Sequence, residues 1–468
     1  MFSYDVVAYE GQPFAQAHPD RLAVLGRLHG MTPAPPASCR MLDLGCGDGG
    51  HLLPIALAFP GAQLTGVDLS AVAVEQANAR AAALGLSNVC FLKADILDLT
   101  PEFGEFDYIT AHGVYAWVPD GVRDKLMSIA CRNLAPHGVA YISYNAYPGG
   151  RLREMVRDML LYQTHDIEEP ELKLKHTYAL LNLLSGSKHA VLKNEVEHLL
   201  ERSPWMLFHD DLAEHFRPVF FSDFVAHAAR HGLQFLAEAQ FHVQQLFSLP
   251  QDVAETIRIA AAGDIIAEQQ YLDFLEVRRF RSTLLCHGSI ALERPPQPEA
   301  VHDLWVSTGA ERVADDEFRA GKGAAVKTDA PHILAVMGYL TDRRHLAVEF
   351  RELVRAADAG DAPVAEFLLG AYAAGLVDLH TGPSCFTLDP GHRPRANALA
   401  RLQAAEGARL VTSLRQASIE IGDDRARRLI ALMDGGRDRD AIARELDVER
   451  RELDEKIAAL AHLTLLEA

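Results

Sequence analysis

Apolar and polar positions along the first 150 residues alternate between two periods. Short runs of four to six mostly apolar residues, Arg40–Leu44, Gln63–Asp68, Val89–Lys93, 106–112 and 139–144, read as buried strands. Between them the apolar positions recur at helical spacing, from about residue 51, over 71–84 with Gly85 as C-cap, and over 121–134. Strand–helix alternation of this kind predicts a parallel sheet with helices on both faces. Beyond residue 150 the pattern turns helical to about residue 212, with Leu180, Leu181, Leu183 and Leu184 among its apolar positions. Strand period returns at Leu233–Glu238 and at 282–287, with a helix over 265–278 between them. These two are expected to close the sheet as an antiparallel pair, which leaves 151–215 as a helical insertion over the substrate side.

The proline-rich stretch 294–298 reads as a linker. After it, helices over 333–340, 345–357 and 364–374 precede two short strand candidates, 376–380 and 385–388, a winged-helix-like order. Three more helices are expected over 424–433, 438–446 and 449–463. The expected organisation is a catalytic domain over 1–294 and a winged-helix-like and helical region over 300–468. Arg425, Arg427 and Arg428 are interleaved with Asp423, Asp424 and Asp434, so the C-terminal region lacks the basic run of a nucleic-acid reader. A role in protein contact or in holding a homodimer is expected instead.

The chemistry centres on Arg40-Met-Leu-Asp-Leu-Gly-Cys-Gly-Asp-Gly-Gly50, a strand that runs into a glycine turn and then a helix. Gly45, Gly47 and Gly50 satisfy G-x-G-x-x-G, a weak signal by itself. Charge separates its two readings: Asp43 and Asp48 would repel a pyrophosphate but suit S-adenosylmethionine, which brings a sulfonium and an amino group. The expected contacts are Asp43, Gly45, Cys46, Gly47, Asp48 and Gly49 at the turn. Asp68 and Leu69 end the second strand, where a carboxylate takes the ribose hydroxyls. Ala94, Asp95 and Ile96 follow the third strand at the adenine, and His112 follows the fourth. Candidates to line the acceptor pocket and orient the nucleophile are His112 and Tyr115 after strand four, and Tyr144, Asn145 and Tyr147 after strand five. Tyr4, Tyr9 and Phe14 either close over the cofactor or pack on the sheet edge.

Of the 468 residues 49% are hydrophobic and 23% charged, and the net charge is -19, which excludes broad binding to nucleic acid or an anionic membrane. The six cysteines are scattered without a C-x-x-C pair, the pattern of reduced thiols in a cytoplasmic chain, and no metal site is expected. No apolar run is long enough to span a bilayer, and residues 1–11 lack a signal-peptide core.

Several motifs together carry a resemblance. They are Tyr4-Asp5, Phe14 with His18-Pro-Asp-Arg-Leu22, Leu42 to Gly50, Ala111-His-Gly-Val-Tyr115 with Trp117-Val-Pro119, and Ser143-Tyr-Asn145 with Tyr147-Pro-Gly149. The chain resembles bacterial class I methyltransferases that carry a methyltransferase regulatory domain, a family that includes rickettsial lysine methyltransferases of an outer-membrane protein. His209 to Glu214, His231 to Phe235 and Arg278 to His287 resemble the regulatory stretch itself, at about 209–290. The resemblance implies methyl transfer from S-adenosylmethionine to protein lysine side chains. Two alternatives stay open: a small-molecule N- or O-methyltransferase, which needs a closed pocket in place of a groove, and a cofactor-sensing scaffold without catalysis.

Overall fold

Strand β1 (Arg40–Leu44) is an interior strand of a seven-stranded sheet, hydrogen-bonded in parallel to β2 (Gln63–Asp68) on one side and to β4 (Phe106–Ala111) on the other. The computed structural model of the chain describes residues 11–247 and 249–468. With β3 (Val89–Lys93), β5 (Leu134–Asn145), β6 (Leu233–Glu238) and β7 (Phe280–His287), the strand order is β3-β2-β1-β4-β5-β7-β6. Strand β7 runs antiparallel to both neighbours, with Tyr144 opposite Arg281 and Leu233 opposite His287. Met41, Leu42 and Leu44 are fully buried, as a central parallel strand with both faces covered requires. The chain order reverses at β1, so a crevice opens beyond the carboxyl ends of β1 and β4.

The elements start and stop where local chemistry dictates. Ser70 caps the helix Ala71–Ala83 by accepting from the Ala73 N–H, and the helix ends in a turn in which Gly85 adopts φ +67°. Strand β5 begins before the expected residue 139: Leu134 pairs with Phe106 and Val139 with Tyr108, so three extra residues are taken up as an irregular bulge between them. Helices Gly150–Thr164, Pro170–Leu184 and Ala190–Leu200 form the insertion, with a small core of their own around Val156, Leu160, Leu181 and Val196. Arg153 and Arg202 both reach Asp210 and Asp211, tying the end of the insertion back to its first helix.

The C-terminal region departs from the sequence expectation. The strands Trp305–Ser307, Val348–Glu349 and Asp378–His380 form one small sheet, and Glu311–Ala314, Glu317–Arg319 and Ala325–Lys327 form another. Asp378–His380 therefore pairs with Trp305–Ser307 and not with 385–388, whose Phe386 bridges Glu467. The winged arrangement lies further on, where the helix Ala398–Ala405 and the hairpin Leu410–Thr412 with Ser418–Glu420 join the helices Asp424–Leu432, Arg439–Leu446 and Arg450–His462. The expected strand 376–380 is present as Asp378–His380, whereas the other strands, of two to four residues, are too short to show a period and were not expected.

The proline stretch does not separate two cores. Val301, Leu304, Val306, Met337, Leu368 and Leu379 join the apolar cluster that also holds Leu22, Leu25, Tyr108 and Tyr141. A distinct core begins only near Ala396 and runs to Leu466. Polar bonds reinforce the first seam: Asp20 accepts from Thr381 N–H and pairs with His380, and Arg21 pairs with Asp378. Among the described residues no helix is long and apolar enough to cross a membrane.

Candidate active site

A cavity of about 920 Å³ occupies the crevice at the carboxyl ends of the sheet, roofed by the helical insertion. Its floor is the glycine turn. Gly45 and Gly47 have φ of +79° and +53°, and a Cβ at Gly47 would meet nothing within 4 Å, so the backbone there is open to a ligand. Asp68 fixes the turn: the Gly47 N–H donates to its Oδ2 and the Ser70 N–H to its Oδ1, each at 2.9 Å. Asp43 lies beneath, buried, accepting from the Thr110 hydroxyl at 2.7 Å. Burial pushes its carboxyl up to about 7, with the nearby Asp68 charge adding to the shift against the Thr110 bond. Burial likewise raises the Cys46 thiol, which keeps it protonated. Leu69, Ala94, Asp95 and Ile96 complete one wall, and Asp95 accepts from the Leu97 N–H at 2.9 Å.

Phe14 and His112 form the opposite wall. Their rings stack with centroids 3.6 Å apart, and His112 Nδ1 lies 2.8 Å from the Tyr141 hydroxyl and 3.3 Å from Ser143 Oγ. Burial pushes the imidazole down to about 4, so it is neutral at pH 7. The Phe14 N–H donates to His51 Nδ1, drawing the N-terminal segment across the turn. Tyr4 and Tyr9 lie outside the described residues.

The sequence candidates separate into two groups. Asp43, Gly45, Cys46, Gly47, Asp68, Leu69, Ala94, Asp95, Ile96, His112 and Asn145 line the cavity. Asp48 does not, because its carboxylate pairs with Arg80 at 2.6 Å and accepts from the Gly50 N–H. A Cβ on Gly49 would strike Phe91, so that glycine serves packing behind the turn. Tyr115 and Tyr144 belong to the apolar cluster on the other side of the sheet. The Tyr115 hydroxyl meets His227, and Tyr144 stacks on Phe224 with its hydroxyl on Thr283. Tyr147 donates to Glu154 and lies under the Arg151 guanidinium.

Strand parity explains the split along β5. Tyr141, Ser143 and Asn145 share the His112 side, and Tyr144 between them faces away. Asn145 is the informative member: the residue lines the cavity, and its buried Oδ1 has no hydrogen-bond partner among the described residues. A buried amide oxygen left unpaired costs free energy on the order of 1–3 kcal/mol, so it marks a position where a donor belongs.

The far half of the cavity was not foreseen residue by residue. Trp117, Trp205 and Phe280 supply aromatic surface there, and Glu195, Asp210 and Glu214 supply carboxylates. Glu195 is held by Arg279 on the sheet side, and the Arg153 guanidinium sits 5.1 Å over the Trp117 ring. No spacing in the sequence connects helix residues near 195 or 205 to the ends of β4 and β5.

Comparison with known proteins matches the same parts. A methyltransferase domain matches residues 36–203, a predicted methyltransferase regulatory domain residues 203–287, and the PKMT C-terminal winged helix domain residues 392–456. The uncharacterized protein RP789 of Rickettsia prowazekii is 39% identical over 298 residues, 62% of this chain and 54% of RP789, so the match spans about half of that relative. The uncharacterized protein RP028 of the same organism is 32% identical over 241 residues, 50% of this chain and 96% of RP028. The structure of PKMT2 from Rickettsia typhi superposes with a TM-score of 0.86 at 22% identity, covering 98% of this chain and all of that one. PKMT2 in complex with AdoHcy superposes with a TM-score of 0.85 at 23% identity, covering 98% of this chain and 99% of that one.

Proposed function

The chain belongs to the methyltransferases that carry a methyltransferase regulatory domain and a PKMT winged helix, and on that premise we propose that it methylates lysine side chains of a protein acceptor. Its methyl donor is S-adenosylmethionine, which supplies an electrophilic methyl on a sulfonium. The residues present fit that group. The open backbone at Gly47 admits it, Asp68 suits the ribose hydroxyls, and Asp95 with Leu69 and Ile96 suits the adenine. Asp43 faces the cationic end.

The acceptor half supports an amine. Glu214 adds a carboxylate there, while Glu195 and Asp210 are paired with Arg279 and with Arg153 and Arg202, so it is the aromatic surface and not net charge that favours an amine. Aromatic surface from Trp117, Trp205 and Phe280 attracts an ammonium and strips its water, which lowers the amine pKa and delivers the neutral nucleophile. Asn145 carries the reading: it lines the cavity and its amide oxygen has no partner among the described residues, so turning the amide to the cavity lets that oxygen accept an N–H of the amine and aim the nitrogen lone pair along the transfer line. His112, with its pKa near 4, is a poor general base at neutral pH and serves as a neutral wall under Phe14.

Incubation with donor labelled in its methyl group and a bacterial lysate tests the proposal. Label on lysine Nζ of a protein supports it. Label confined to small molecules establishes the alternative N- or O-methyltransferase, and no transfer despite donor binding establishes the sensing scaffold.

A further inference from the structure

Away from the cavity, among the described residues, the side chains of Asp124, His227 and His231 converge so that one ligand atom of each lies within 4.8 Å of the others. Asp124 comes from the helix Asp120–Arg132, which follows β4. His227 lies on the helix Phe221–Arg230 and His231 closes it, four residues on. Two histidines at i and i+4 face the same side of a helix, the spacing that zinc sites on helices use. Asp124 Oδ1 stands 2.9 Å from His231 Nε2 and 3.3 Å from His227 Nε2. Tetrahedral bonds of 2.0–2.1 Å separate ligand atoms by roughly 3.3 Å. The two aspartate–histidine separations are within a few tenths of an ångström of that, and the two histidine nitrogens lie within 4.8 Å of each other, so a side-chain rotation brings the set around an ion.

The surroundings are those of a ligand set. His227 Nδ1 is 2.9 Å from the Tyr115 hydroxyl. With the proton on Nδ1, that bond fixes the ring and turns the Nε2 lone pair to Asp124, the outer-shell arrangement of a metal-bound histidine. The two histidine side chains are mostly buried and Asp124 is open to solvent, leaving an entry path and a fourth position for water. Two imidazoles and one carboxylate select zinc or a related divalent transition ion over magnesium or calcium.

We propose that Asp124, His227 and His231 form a zinc site that clips the methyltransferase domain to the regulatory stretch. One ligand lies in the segment 36–203 and two lie in 203–287. Through Tyr115 the clip also holds the 113–119 loop, whose Gly113, Val114 and Trp117 line the cavity. The sequence gives no warning of it, because Asp124 and the two histidines are about a hundred residues apart.

The test uses the full chain, freed of metal with a chelator and dialysed against Zn²⁺, and separately loaded with Co²⁺ for its absorption spectrum. The proposal expects one equivalent of Zn²⁺ per chain, a Co²⁺ spectrum of low coordination number, and a thermal midpoint that rises with zinc concentration. Asp124→Asn and His231→Gln, both at exposed or near-surface positions, should each lose that equivalent and the thermal shift while keeping the far-ultraviolet circular dichroism of the parent. Zinc uptake by the parent that neither substitution changes would assign the ion to other groups among the 21 histidines and overturn the proposal. Failure of the folded parent to take up zinc would overturn it as well.

Discussion

The Phe14 ring lies flat on the His112 imidazole, centroids 3.6 Å apart and planes 22° from parallel, so the N-terminal segment and the end of β4 share one wall of the cofactor cavity. Phe14→Ala should weaken S-adenosylmethionine binding by about 1 kcal/mol, the scale of one aromatic pair. It should also move the His112 pKa up from about 4 toward 6.5, followed by NMR titration. Because the folded value lies below the unfolded one, the unfolded chain takes the proton first on acidification. His112 therefore costs stability as pH falls from about 6.5 to about 4, and the variant should show less of this acid lability. An unshifted pKa would contradict the burial argument.

Asp68 braces the glycine turn through Gly47 and lines the cavity, where the proposed function sets it against the ribose. Asp68→Ala should lower cofactor affinity by roughly 1–3 kcal/mol by calorimetry. Asp68→Asn, which keeps one acceptor oxygen, should recover part of it. Unchanged affinity in both would remove the ribose assignment.

Asp43 gives the site a pH dependence. Its folded pKa of about 7 lies above the ordinary 3.8, so the unfolded chain ionises first and Asp43 penalises the fold as pH rises from about 3.8 to about 7. A cation beside it reverses the shift, so donor binding should release a proton near neutrality. Affinity should rise about tenfold between about pH 6 and about pH 8, and Asp43→Asn should flatten that rise. Calorimetry in buffers of different ionisation enthalpy reads the proton directly. No net release in the parent would contradict the account.

The shared core changes what truncation should do. A chain ending at Arg294 removes Val301, Leu304, Met337 and Leu368 from the cluster around Leu22 and Tyr141, exposing a large apolar face. It should aggregate. A chain ending at Gly391 removes the separate core beginning near Ala396, takes Leu399 from the main apolar cluster and loses the Arg415 bonds to His345 and Asp378; it should stay soluble and bind S-adenosylmethionine. Soluble, cofactor-binding protein from the shorter chain would show that the seam contributes little.

These outcomes mark how far the sequence could be read. The strands around the glycine turn were legible because each is a short apolar run bounded by turn residues, and the spacing from Gly45 to Asp68 follows from strand and helix lengths. Asn145 and Tyr144 were not separable, since adjacent residues on a strand face opposite ways and nothing local says which side holds the cavity. Asp48 looked like its neighbour Asp43 until Arg80, on the helix Ala71–Ala83 after β2, claimed it. The carboxylates at Glu195 and Asp210 reach the site only because the insertion folds back, a tertiary fact without a local pattern.

The most direct test of lysine methylation through Asn145 is a single-turnover experiment. Enzyme preloaded with methyl-labelled donor is mixed with its protein acceptor, and the label is located by mass spectrometry for the parent and for Asn145→Ala. The account predicts label on lysine Nζ in the parent. In Asn145→Ala it predicts donor affinity within about twofold of the parent and transfer slowed on the order of tenfold or more, as loss of one orienting hydrogen bond implies. Transfer by Asn145→Ala as fast as by the parent, or label that never appears on lysine, would contradict it.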